Sequence, residues 1–135
     1  MGFFHTLHSL DNWALLILRI ALAASFLIHG LEKWKMWKMK PSEQLPAPLI
    51  INFRILSIAE PVGAIALLFG FFTQIAAIGF AIIMIGAIDH KARRRQKKFG
   101  EPGGWELDAI ILAAVLVLMT IGAGAISVDR ILLGI

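Results

Sequence analysis

The chain has 135 residues, 59% hydrophobic and only 16% charged, with a formal net charge of +4 and a mean hydropathy of +0.80. Soluble domains carry about 45–50% apolar and about 25% charged residues, so the composition points to a single membrane domain over residues 1–135. There are no cysteines, which excludes disulfides, thiol nucleophiles, cysteine-ligated zinc and iron–sulfur ligation; electrons in any redox reaction must travel on a bound cofactor or a partner.

A bilayer span needs roughly 20 mainly apolar residues. Four stretches approach this, at about 13–31, 50–69, 72–88 and 105–125. They are too long for strands and lack period-2 alternation. Lipid demands that the backbone satisfy its own hydrogen bonds, so the expected fold is all-α, an integral membrane four-helix transmembrane bundle. The first stretch is read as a span and not as a cleaved leader, because residues 1–12 hold no Lys or Arg and Arg19 interrupts the apolar run.

The first connection carries Lys33, Lys35, Lys38 and Lys40 beside Trp34 and Trp37. Amphipathic rings next to lysines are typical of the headgroup level. Pro41, Pro46 and Pro48 should break any helix before the second span. The connection after the third span carries Lys91, Arg93, Arg94, Arg95, Lys97 and Lys98, whereas the turn over 70–74 has no basic residue. Positive charge stays on the cytoplasmic side. The basic loops 32–49 and 89–104 are therefore expected in the cytoplasm and both termini outside, in a bacterial-type plasma membrane. The partners this favours are the lipid bilayer and its anionic headgroups, not nucleic acid.

Ionisable groups inside spans are costly and usually face the protein interior. Arg19 lies roughly 18 Å from the Leu31 end of the first span, and Glu60 roughly 15 Å from the Ile50 end of the second, at 1.5 Å per residue. In antiparallel neighbours both reach the midplane, so Arg19 and Glu60 are expected to face each other. Arg19, Ser25 and His29 share one stripe, and Arg54, Ser57 and Glu60 another. Pro61 has no N–H, so the Ser57 carbonyl loses its usual helical partner one turn from Glu60. The pair reads either as a buried ion pair that fixes register or as the lining of a ligand pocket in which Glu60 carries a proton.

His29, Asp89, His90, Glu106 and Asp108 gather at the span ends of the same side. Histidine with carboxylates can bind a divalent metal or shuttle protons, and His29 with His90 would be the pair for a haem. The plainer reading is acids complementing a helix dipole and interfacial histidines. No metal site is expected; His29, His90 and Glu106 are the candidates if there is one. His5 and His8 are taken as non-functional.

Three blocks carry a family resemblance: LRIALAASFLIHGLEK, AEPVGAIALLFGFFTQIAA and GGWELDAIILAAVLVL, the last followed by GAGAISVD. In order and spacing they resemble the DoxX family of small four-helix membrane proteins. By matching position, the resemblance makes Arg19, His29, Gly30, Glu60, Trp105, Glu106 and Asp129 the characteristic residues. It implies association with respiratory or redox membrane complexes, since the family takes its name from a quinone-linked oxidoreductase subunit. On this basis the first reading is an accessory redox subunit with a quinone or similar lipid-soluble ligand between its helices. Arg19 would bond a carbonyl oxygen, Glu60 would carry the proton, and His29 with Glu106 would connect it to the cytoplasm. Partner subunits or a homo-oligomer are implied. The alternative is a non-enzymatic scaffold or chaperone whose polar pairs are purely structural; a small transporter is a third reading.

Overall fold

The structure, a computed structural model, describes residues 8–134; His5 lies outside them. Among the described residues there are helices and turns but no strand. Helix α1 spans Asp11–Glu32, α2 Ala47–Phe69, α3 Thr73–Asp89, α4 Glu106–Ile121 and a short α5 Val128–Leu133. A 3-10 turn, Lys33–Trp37, prolongs α1, and a π turn, His90–Arg94, prolongs α3. Three units are long and apolar enough to cross a membrane: Asp11–Trp37, Ala47–Phe69 and Thr73–Arg94. Helix α4 is as apolar but has 16 residues, roughly 24 Å against a hydrocarbon core of about 30 Å.

Several boundaries differ from the sequence expectation for physical reasons. Helix α2 starts at Ala47, with Pro46 as its cap and Pro48 in its first turn. First-turn N–H groups have no intrahelical acceptor, so a proline there removes nothing. Helix α4 ends at Ile121 and not near 125, because Gly122 and Gly124 adopt φ of +87° and +80°, a region closed to most side chains. The chain then crosses as an irregular segment, 122–127, before α5.

One core joins α1 to α4 and includes Leu22, Phe26, Ala64, Leu67, Ala77, Phe80, Val115 and Leu118. At its centre the Phe26 and Phe80 rings stack 3.6 Å apart. Gly63 makes room for Phe80, since a Cβ there would stand 2.7 Å from the ring. The opposite faces expose aliphatic side chains such as Ile17, Ile55, Val62, Ile82 and Ile110, each more than half accessible. A polar-inside, aliphatic-outside arrangement on every long helix suits a lipid solvent.

The register of α1 on α2 sets the position of every polar group below. Gly70 touches the Arg19 guanidinium, and Gly30 touches Pro61 and Glu60. The Trp34 and Trp37 side chains bond to Ser57. The expectation that Arg19 faces Glu60 therefore fails. Glu60 lies at the level of Gly30, about three helical turns, or roughly 16 Å, along α1 from Arg19. The cause is the 3-10 turn: the chain does not leave α2 at Leu31 but follows it to Trp37, which shifts the register.

Candidate functional site

Two polar centres result, one at each end of the α1–α2 pair. The first is built on Arg19, 1% exposed. Its two terminal nitrogens donate to the carbonyls of Ala123 (3.1 Å) and Ile126 (2.6 Å). Backbone that leaves helical geometry at Gly122 turns its carbonyls away from helical donors, and a planar guanidinium fork can serve two at once. Gly70 ends α2 in the left-handed conformation (φ +65°), and a Cβ there would collide with the guanidinium. Asp129 acts beside it: its carboxylate accepts from the N–H of Phe72 (2.6 Å) and Thr73 (2.9 Å), and its own N–H donates to Gly70 O (2.8 Å). That places a negative group on the free N–H groups and positive dipole end of α3. Asn12 Oδ1 accepts from Ala125 N–H at 2.7 Å. Together these groups tie the 122–129 segment across the ends of α1, α2 and α3.

The second centre is built on Glu60, 2% exposed. Its Oε2 lies 2.5 Å from Lys33 Nζ, whose side chain is 22% exposed. The same amine reaches the His29 carbonyl at 3.4 Å. The Ser57 carbonyl, deprived of its partner by Pro61, accepts from the Trp34 indole at 2.8 Å. The Trp37 indole donates to Ser57 Oγ at 2.9 Å, and that hydroxyl donates to Arg54 O at 2.7 Å. Arg54 in turn donates to the Met36 and Met39 carbonyls, both at 3.1 Å, and its guanidinium stands 5.6 Å from the centre of the Trp37 ring. The proline gap in α2 is thus filled by the 3-10 turn, and Gly30 lets the Pro61 ring seat against α1.

The other candidates disperse. His29 is exposed and pairs at 3.8 Å with Glu32; Glu106 is exposed at the start of α4. The buried acid of that helix is Asp108, whose Oδ2 lies 2.7 Å from Lys91 Nζ. Among the described residues no group of three or more His, Asp or Glu could hold a metal, so His29, His90 and Glu106 are not assembled into a site. Sequence reasoning missed Lys33, Trp34 and Trp37 as partners of α2. The signal was present in the unpaired Ser57 carbonyl, which requires a donor from another element.

An all-helical chain with three helices fit to cross a bilayer, aliphatic outer faces and ionisable groups turned inward is an integral membrane protein. More particularly, this chain belongs to the DoxX family, whose model matches residues 14–90. It is also 31% identical, over 126 residues, to an uncharacterized protein of Haemophilus influenzae; the match covers 88% of this chain and 83% of that protein. No solved structure matches it. The family match contains Arg19, His29, Gly30 and Glu60, whereas Trp105, Glu106 and Asp129 lie beyond it.

Proposed function

We propose that the protein spans the membrane by four helices, α4 completing the bundle, and serves as an accessory subunit of a redox complex that takes a quinone-class ligand at the Glu60 centre. Both basic loops face the cytoplasm in this reading. The observation that carries it is the donor set of Lys33. An ammonium has three N–H groups; two reach Glu60 and His29 O, and the third remains for a carbonyl oxygen. Glu60 is buried against an apolar crossing and tethered to a single amine, as suits a group that gives and takes a proton next to an apolar ligand.

When bound, a quinone-class ligand would supply the two-electron, two-proton chemistry, with electrons from a partner subunit or a further cofactor, since the chain has no cysteine. In this reading Lys33 would orient the ligand oxygen and the Glu60 carboxylate would relay both protons to it in turn. Gly30 and Pro61 pack closely behind the pair. Arg19, to which the sequence reading gave the carbonyl oxygen, directs its terminal nitrogens to backbone carbonyls and acts as a positioning group for the 122–129 segment. That same use of Arg19 is what favours the second reading, a scaffold whose polar pairs are structural. Quinone analysis of the purified protein separates the two. Stoichiometric quinone lost in Glu60→Gln supports the redox reading; a stable wild-type protein empty of quinone supports the scaffold.

A further inference from the structure

Outside the Lys33–Glu60 pair, the same turn forms an open groove on the membrane-facing side, lined by Trp34, Lys35, Trp37, Lys38 and Ile58. We infer that this groove is a binding site for one anionic phospholipid, with the phosphate headgroup between Lys35 and Lys38 and an acyl chain along the indole rings and Ile58.

Three observations meet there. The rings form a prebuilt platform: each indole N–H is committed to Ser57, one to its carbonyl and one to its hydroxyl, and the Arg54 guanidinium lies over Trp37. Yet both rings remain about half exposed, at 56% and 53%, so their faces meet the surroundings while their polar edges are satisfied. Lys35 and Lys38 are exposed and have no ion-pair partner among the described residues. Lys33, Lys91, Arg93 and Lys97 of the two loops are each matched to an acid; Lys40, Arg94, Arg95 and Lys98 are not, but of the basic residues without an acid among the described residues only Lys35 and Lys38 line the groove. Finally, Ile58 continues the groove onto the aliphatic face of α2 with Ile55 and Val62, all more than half exposed. Charge at one end and apolar surface running from it is the shape of a lipid: cations at the surface attract anionic headgroups, and indoles sit at the boundary. Glu60 and Lys33 are not among the lining residues, so the groove is separate from the carboxylate–amine pair, although the two indoles border both.

Native mass spectrometry of the detergent-purified full chain, titrated with phosphatidylglycerol or phosphatidylcholine, tests this. One phosphatidylglycerol per chain should persist where phosphatidylcholine does not. Lys35→Gln with Lys38→Gln should weaken it by roughly tenfold to thirtyfold. Lys40→Gln with Lys98→Gln, an equal loss of charge at two lysines outside the groove, should change binding by less than about twofold, and Glu60→Gln should leave it intact. Trp37→Phe should retain binding better than Trp37→Ala. Equal retention of both lipids, or equal losses for the Lys40/Lys98 pair and the Lys35/Lys38 pair, would overturn the site in favour of diffuse surface charge. Displacement of the lipid by glycerol phosphate at similar concentration would overturn the claim that the groove reads the chain as well as the headgroup.

Discussion

The Arg19 end and the Glu60 end of the α1–α2 pair each bury one charged side chain, yet they use it oppositely. Arg19 directs both terminal nitrogens to backbone carbonyls of a remote segment, and a glycine is required beside it. Its planar fork serves both carbonyls, and with Asp129 it ties the 122–129 segment to α1, α2 and α3. Glu60 has one side-chain partner, a half-buried lysine on a 3-10 turn. Its surroundings are also held by proline, glycine and two indoles, so the carboxylate is not what keeps the helices together. A buried charge is thus a poor guide to function until its partners are known: Arg19 is bound to the backbone of a remote segment, whereas Glu60 has a lysine side chain as its partner.

This contrast can be broken most forcefully at Arg19. Arg19→Leu frees the carbonyls of Ala123 and Ile126 from their side-chain donor, at a cost of about 2–5 kcal/mol. Thermal unfolding in micelles should show the loss, and hydrogen exchange should rise first over 122–129. Arg19→Lys should recover little, since an ammonium does not reproduce the two-carbonyl fork. Gly30→Ala is next, at about 1–3 kcal/mol, because its methyl meets the Pro61 ring; the same unfolding measurement reads it. Trp34→Phe should cost about 1 kcal/mol by stranding the Ser57 carbonyl. In a Pro61→Ala background, where the helix regains its own N–H, that cost should shrink, and a double-mutant cycle measures the coupling. Additive losses would show that Trp34 does not fill the proline gap.

Much of this was legible in the chain and some was not. The inward turn of Arg19 and Glu60 followed from the cost of charge in lipid, and the Ser57 carbonyl's lack of a helical partner followed from Pro61. The pairing of Arg19 with Glu60 did not survive, because it assumed that α1 ends where lysines begin. Lys33 to Trp37 reads as a headgroup segment by composition, but its lysine and indoles find acceptors on α2, and those long-range bonds hold the turn against the helix. The trans-capping role of Asp129 was equally hidden: the need lies in α3, at Phe72 and Thr73, whereas the acid lies 56 residues further on from Thr73. Local patterns carry no such distance. The early stop of α4 could have been suspected from Gly122 and Gly124, whose positive φ ends the helix, but not the Arg19 bonds that hold the segment beyond it.

The most direct test is the Glu60→Gln protein compared with wild type for two quantities at once, bound quinone per chain and unfolding temperature in the same micelle. The account predicts about one quinone in the wild type and almost none in Glu60→Gln, with an unfolding temperature far closer to wild type than that of Arg19→Leu. A wild-type protein without quinone, together with a Glu60→Gln protein as unstable as Arg19→Leu, would contradict it and make both ends structural.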